Sequence, residues 1–269
     1  TAITDGTKIQ ILEQLCSVFF GSFVFYKGGL RIRADKPDAN IKLLVNQTNA
    51  GDFTYEHATL KSFINKVVVT YVDPNSFYIE KTVTAENQQG IDKYGEKAAQ
   101  VFGFGITSET QALRYANWVL QSEIENSLTV SYQGGWDHYR LIPGDIVQFE
   151  DSNERGTRLA GRATVSGSNV ALDGDCVAVV GDAFSITEDD GTVHETTIAS
   201  VTDASNIVLN AAPSGTVVNN STFTIADQSI GKQLFRVVKV DETSDGVFNT
   251  TLQLYNADKY NLITAVTRS

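Results

Sequence analysis

Methionine is absent from the 269 residues, cysteine occurs twice and histidine three times, and no run of about 18 apolar residues is present. Each absence removes a class of protein. Without such a run there is no membrane-spanning helix. Cys16 and Cys176 are too few for a disulfide framework and too far apart in sequence for a zinc pair. Both lie among apolar residues, and buried free thiols are expected. His57, His138 and His194 stand apart from one another and are expected as ordinary surface or turn residues. Residues 1–20 hold an amphipathic segment that includes Lys8 and Glu13, unlike a signal peptide. Starting at Thr1 and lacking Met, the chain reads as a fragment excised from a longer polypeptide.

Positive charge is missing from one long stretch. No Lys or Arg occurs between Ala163 and Ile230, where Asp173, Asp175, Asp182, Glu188, Asp189, Asp190, Glu195, Asp203 and Asp227 give a charge of −9. The rest of the chain holds all 21 basic residues and 23 of the 32 acids, so one segment carries nearly the whole net charge of −11. Such a shift marks a separate folding unit. It also argues against nucleic-acid binding, which draws its affinity from clustered Lys and Arg. Hydrophobic content of 42% and charged content of 20% are otherwise ordinary for a globular protein.

Local patterns predict mainly strands with a few helices. Thr7 to Phe19 reads as a helix, with Thr7 and Gln10 as a capping box and Gly21 as its end. Ile9, Leu12, Leu15, Cys16 and Phe19 form an apolar stripe that Ile11 and Val18 widen, which predicts burial on more than one side. Ser22–Tyr26 and Leu30–Arg33 flank Lys27-Gly28-Gly29 as a hairpin, and Asp35-Lys36-Pro37 closes that unit. Lys66–Val72 is largely apolar on both faces and predicts a strand deep in a sheet or barrel. Asp73-Pro74-Asn75 breaks it, and Tyr78–Thr84 is its partner. A short helix follows near Glu86 to Lys93, and a longer one, capped by Ser108 and Gln111, runs from about Glu109 to Glu123. Leu128, Val130 and Tyr132 return to strand spacing, Pro143-Gly144 makes a turn, and Ile146–Phe149 is another strand.

From Ala163 the strands shorten. Ala163–Val165, Val170–Leu172, Ala183–Thr187, Thr192–Ala199, Ile207–Leu209 and Phe223–Ile225 suggest a small barrel or sandwich, with Glu188-Asp189-Asp190-Gly191 as a hairpin turn. Leu234–Val240 and Thr250–Tyr255 resume longer strands around a turn at Ser244-Asp245-Gly246. The expected organisation is a helix–hairpin piece at 1–64 and a discontinuous β domain at 65–162 plus 231–257. An acidic β module is inserted at 163–230, and a linker follows at 258–269.

Patterns that carry chemistry are sparse. Asp151 with Glu154, and Asp189 with Asp190, are the pairs that glycoside hydrolysis would need. Neither has the apolar neighbours that raise a pKa, and both are expected as solvated loop acids. Asp173-Gly174-Asp175 and Glu188-Asp189-Asp190-Gly191 lack the acid spacing of an EF-hand, and turn chemistry accounts for them. Gly103-Phe104-Gly105 lacks the third glycine of a dinucleotide fingerprint and reads as a loop entering the Ser108 helix. No P-loop, Gly-x-Ser-x-Gly elbow or His-Glu-x-x-His occurs, and no His has a context that suggests activation of a Ser. Trp136-Asp137-His138-Tyr139 packs across a hairpin in the plainer reading and binds a sugar or a partner protein in the other. No catalytic, cofactor-binding or metal-ligating residue is assigned, and no cofactor.

An ordered series of segments adds to this reading. It runs Ile64-Asn65-Lys66-Val67-Val68-Val69-Thr70-Tyr71-Val72-Asp73-Pro74, Tyr94-Gly95, and Gln111-Ala112-Leu113-Arg114-Tyr115-Ala116-Asn117-Trp118-Val119-Leu120. Leu141-Ile142-Pro143-Gly144-Asp145-Ile146-Val147, Leu159-Ala160-Gly161-Arg162 and Leu234-Phe235-Arg236-Val237-Val238 complete it. In this order and at these intervals the segments resemble the tail-tip attachment protein J family (central tail hub, host specificity protein) of lambda-like phages, prophages and gene-transfer agents. The similarity covers nearly the whole chain, most strongly from Asn65 to Arg162. It is loosest over 163–230, where such proteins carry a small inserted barrel.

The resemblance implies a mainly β (α+β) fold of barrel-containing hub domains, with two or three helices and a small OB-like acidic insert. It implies a structural part of a tail-tip hub in the virion, made in the bacterial host cytoplasm, which serves host attachment and DNA delivery and is no enzyme. The implied partners are two further copies in a homotrimer and the other tail-tip, distal tail and tape-measure proteins, without specific nucleic-acid binding. Receptor recognition belongs to later domains of such proteins and is not expected here. An acidic lining would let DNA pass through like-charge repulsion, effective within about 8 Å at physiological salt. A carbohydrate- or receptor-binding module and a cell-wall-degrading tail enzyme are the alternative readings.

Overall fold

The structure, a computed structural model, describes residues 8–26, 29–38, 40–57, 63–125, 127–151, 158–226 and 233–264. Its contacts divide the chain into two compact units, Thr1–Asp38 with Glu56–Leu128 and Asn256–Ser269, and Ala39–Tyr55 with Thr129–Tyr255. This division falls elsewhere than the expected boundaries. Residues 65–128 group with the N-terminal helix, and the acidic segment shares a unit with the sheet strands that flank it.

The first unit begins with α1 (Lys8–Ser17) and the hairpin of β1 (Gly21–Tyr26) and β2 (Gly29–Ala34). Tyr26 pairs with Gly29, while Lys27 and Gly28 of the expected turn lie outside the described residues. Thr7 of the expected capping box lies outside the described residues. Of the predicted stripe only Cys16 is fully buried, while Ile9, Leu15 and Phe19 are exposed. The expected burial on several sides is therefore not met, and Ile11, Leu12 and Val18 are half-buried.

Strands β3 (Ile41–Val45) and β4 (Ala50–His57) belong to the second sheet below. The first unit continues with β5 (Lys66–Asp73), flanked by β6 (Ile79–Glu86) antiparallel and β7 (Ala98–Phe102) parallel. Val67, Val69 and Tyr71 are buried, but Val68, Thr70 and Val72 are only half-buried, so one face of β5 is covered and the other partly so. The cover is α3 (Glu109–Glu125), which follows α2 (Gln88–Tyr94) and sets Ala112, Ala116 and Leu120 into the same core. Ser108 Oγ accepts the Gln111 amide at 3.4 Å, the predicted cap.

The expected linker at 258–269 holds a helix, α4 (Lys259–Thr264), packed on α3; residues 265–269 lie outside the described ones. Lys259 is buried there with its ammonium 2.7 Å from Asp35 and 2.8 Å from Glu125. Asp35 also accepts from Trp118 Nε1 at 2.7 Å and from the Tyr260 hydroxyl at 2.5 Å. A buried ammonium is tolerated only with such partners.

In the second unit six strands are ordered β3-β9-β16-β17-β8-β4, where β8 is Leu128–Gly134, β9 Ile146–Phe149, β16 Leu234–Ser244 and β17 Val247–Leu254. β3 and β4 are the two edges of this sheet, yet only a turn separates them, with the Ala50 amide donating to the Asn46 carbonyl at 2.9 Å. The sheet must therefore curl until its edges approach, giving a half-barrel. Phe149 sits at its centre, its ring 5.2 Å from Phe53 and 5.3 Å from Phe235.

Between β9 and β16 come β10 (Ala160–Ser166), β11 (Asn169–Leu172), β12 (Ala183–Thr187), β13 (Val193–Asp203), β14 (Asn206–Leu209) and β15 (Ser221–Ala226). They close into a barrel in the order β10-β11-β14-β13-β12-β15, with every pairing antiparallel. Phe184 and Phe223 stack at 5.6 Å in its core among Ile186, Ile198, Ile207 and Ile225. Register shifts in β13 let that strand bend around so small a barrel.

Candidate functional site at the barrel–sheet junction

The barrel has no cation of its own after Arg162, so its anchoring to the half-barrel draws on residues outside the acidic stretch. Arg140 closes a 3-10 turn (Trp136–Arg140) that follows β8. Its guanidinium donates to the carbonyls of Asp190 at 3.3 Å and Gly191 at 3.1 Å, in the turn between β12 and β13. Gly191 has φ +82°, a left-handed conformation that favours glycine, and a Cβ there would fall 1.8 Å from Arg140 Nη1, so the guanidinium would have to shift. Arg162 bridges in the other direction, donating to the carbonyls of Asn220 at 3.0 Å and Thr48 at 3.1 Å. Asn46, fully buried, adds a bond from its side-chain amide to the Phe223 carbonyl at 3.2 Å. These contacts hold β3 and its turn against the barrel through backbone carbonyls, which a change of acid would leave intact.

His138 lies in the Trp136–Arg140 turn, one of the two placements expected for it, and is fully buried. Its Nδ1 is 2.7 Å from Asp137, and a Cβ on Gly134 would strike its ring at 2.4 Å. Burial pushes the Asp137 carboxyl up, but the hydrogen bonds from His138 and Asn49 more than offset it and leave the carboxyl below its usual range. Trp136 and Tyr139 pack edge-on against Phe248, at 6.0 and 6.2 Å, the contact that the packing reading expects. They nonetheless stay 64% and 58% exposed. Nearby, a cleft of about 770 Å³ is lined by side chains that include Gln47, Asn49, Gln133, Asp137 and Asn220.

The carboxylates divide into two groups. Asp189 and Asp190 are exposed, as expected. Asp151 is not solvated: it is buried and receives hydrogen bonds from Gln47 and the Tyr55 hydroxyl, while Glu154 lies outside the described residues. Glu188 and Asp182 are buried too. Glu188 accepts the Gly215 amide at 2.8 Å and Asp182 the Val179 amide at 2.9 Å, each fastening a barrel loop. Asp173 pairs with Arg158 at 2.5 Å and Asp175 accepts from Ser205 at 2.9 Å, so the Asp-Gly-Asp segment is turn chemistry. Among the described residues no three His, Cys, Asp or Glu side chains converge as a metal site. Cys16 and Cys176 are buried and free, and burial raises both thiol pKa values.

Fold and junction together define a β-rich scaffold whose buried polar groups fasten loops and sheets. The profile of the family described as "Putative phage tail protein" matches residues 8–165, more than half of the chain, and the chain belongs to this family. It is thus a structural component of a phage-type tail. It is 26% identical over 263 residues to the tip attachment protein J of Escherichia phage SECphi27, covering 94% of this chain and 22% of that protein. Against the tip attachment protein J of Escherichia phage SECphi4 it is 25% identical over 240 residues, covering 86% of this chain and 21% of that one. The chain therefore spans about a fifth of the length of these relatives. A chain of the native gene transfer agent virion superposes with a TM-score of 0.53 at 13% identity, covering 95% of this chain and 41% of its own length. That likeness shows a shared fold. Among the described residues no helix is long and apolar enough to cross a membrane.

Proposed function

We propose that the chain is part of the hub at the distal tip of a tail, present as three copies around the channel, with a scaffold role and no catalysis. The observation that carries this reading is the alignment of 94% of the chain with a tip attachment protein, too large a share to leave out the barrel. The geometry supports it. Asp173, Asp175, Asp189, Asp190, Glu195 and Asp203 are exposed on the barrel, and such a surface repels a passing polyphosphate. Of the acids that a hydrolase would recruit, Asp151 is committed to Gln47 and Tyr55, and Asp189 and Asp190 stand exposed in a turn. Labelling intact particles with an antibody against the barrel tests the reading. Label at the distal tail end is the expected result; label along the tube or at the head would contradict it.

A glycan-binding role is the second reading, favoured by Trp136 and Tyr139 standing exposed near an amide-lined cleft. A glycan array that binds the wild-type chain and not Trp136→Ala would establish it.

A further inference from the structure

Lys259 is a buried amine as well as a cation. Its side chain is 3% exposed, with Nζ 2.7 Å from Asp35 Oδ2 and 2.8 Å from Glu125 Oε2, and those carboxylates are 10% and 8% exposed. The Trp118 and Tyr260 rings each stand 5.7 Å from Nζ. All of these residues belong to the first unit. An amine is thus held against two carboxylates in a site from which water is nearly excluded.

The two carboxylates are held differently. Asp35 accepts at both oxygens, at Oδ2 from Trp118 Nε1 at 2.7 Å and at Oδ1 from the Tyr260 hydroxyl at 2.5 Å. Such donors draw electron density from the carboxyl carbon and stabilise the negative charge that builds on oxygen when that carbon is attacked. The carbon is one bond beyond Oδ2, so the amine and its target are already side by side. Glu125 is anchored through Oε1, which accepts the Asn256 amide at 3.1 Å, and its Oε2 faces the Lys259 ammonium. One carboxylate suffices for an ion pair, and burying a second adds an unbalanced charge that costs stability. A second carboxylate beside the amine is what proton transfer needs.

We infer that Lys259 and Asp35 join in an intramolecular amide bond, with Glu125 as the proton carrier. Glu125 takes a proton from the ammonium, and the freed amine attacks the Asp35 carboxyl carbon. Oδ1 carries the developing charge beside Tyr260. Oδ2 receives two protons from the nitrogen by way of Glu125 and departs as water, so a carbon–nitrogen bond replaces a carbon–oxygen bond. The opposite charges of Lys259 and Asp35 cancel, and no oxidant or further reactant is consumed. In open water hydrolysis wins, but groups held together reach effective concentrations of about 10⁵–10⁸ M, and the released water leaves the core. The reaction occurs once, on no outside substrate, so the scaffold reading neither requires it nor falls with it. It ties the residue after β2 covalently to α4.

The intact mass of the folded full chain tests the bond. A mass one water below that of the sequence is expected. Trypsin, which does not cut after an acylated lysine, should release residues 34–42 and 240–268 as one branched peptide. Asp35→Asn should still join to Lys259, with loss of ammonia in place of water, an outcome that no ion pair gives. Glu125→Gln should stay at its sequence mass while hydrogen exchange shows α3 and α4 protected. Lys259→Arg, which keeps the cation but does not deprotonate, should do the same and serves if Glu125→Gln fails to fold. A full chain that keeps its sequence mass on prolonged incubation would overturn the proposal. So would a lost water that maps to an Asp–Gly step such as Asp245-Gly246, where a cyclic imide forms.

Discussion

Every strand of the 160–226 barrel has two neighbours, whereas in the three-stranded sheet of the first unit β6 and β7 have one each. The barrel buries two stacked Phe rings and four Ile side chains without help, and its closure leaves no edge to be extended. The first unit instead relies on a buried ammonium between two carboxylates and leaves Ile9, Leu15, Leu30, Ile32 and Phe77 in water. The charges differ in the same sense. The barrel's exposed acids favour separation from polyanions, and the first unit has no comparable stretch free of Lys and Arg. Both regions leave apolar side chains exposed, Val177, Val179, Val180 and Val218 in the barrel segment among them, so the difference lies in the closed edges of the one and the open edges of the other.

The largest effects should separate the two regions. Phe184→Ala removes one of the stacked barrel rings and should cost about 3–5 kcal/mol. Hydrogen exchange should show the loss in β10–β15 and leave α3 protected. Lys259→Met leaves Asp35 and Glu125 buried without their cation and should cost a similar ~3–5 kcal/mol, read as lost protection in α3 and α4 with the barrel unaffected. If either variant destabilises both regions equally, the contrast fails. A fragment of residues 158–226, which starts before the first barrel strand at Ala160 rather than at the expected 163, should unfold cooperatively on its own.

Smaller effects sharpen the comparison. Gly191→Ala should cost about 1–3 kcal/mol by forcing a left-handed alanine against Arg140, detected as a lower thermal midpoint and a faster-exchanging Thr192 amide. Phe77→Gly should raise the free chain's stability by about 0.5–1 kcal/mol by relieving a strained φ, the opposite sign from a residue that stabilises its own fold. The smallest effect is that of acid. Hydrogen bonds from Thr192 hold the Asp190 carboxyl below its usual range, and Asn206 does so for Asp203. A depressed folded-state pKa contributes stability above the unfolded value of about 3.9, lost as pH falls through the lower folded value. NMR titration below pH 4 should therefore show both barrel turns changing together, and a midpoint above the unfolded value would refute the assignment.

The barrel was legible because each of its strands alternates locally and each turn carries its own Asp, Gly or Asn. All six predicted strands are present. The α3 helix was legible for the same reason, through Ser108 and a regular stripe. What escaped depends on contacts distant in sequence. Lys259 reads as a polar linker residue until Glu125, 134 positions earlier, is beside it. Asp151 reads as solvated until Tyr55, 96 positions away, reaches it. β3 and β4 were missed although Phe53 and Tyr55 alternate with polar neighbours, a pattern that was available. The exposure of the Phe77 tip has no local signature, since Phe-Tyr-Ile next to a strand looks like more strand.

The most direct measurement is a cryo-electron microscopy reconstruction of the distal end of the assembled tail. The account predicts three copies around the channel, each with its barrel acids facing water. A number of copies other than three, or copies whose barrel acids are buried against a basic partner, would contradict it.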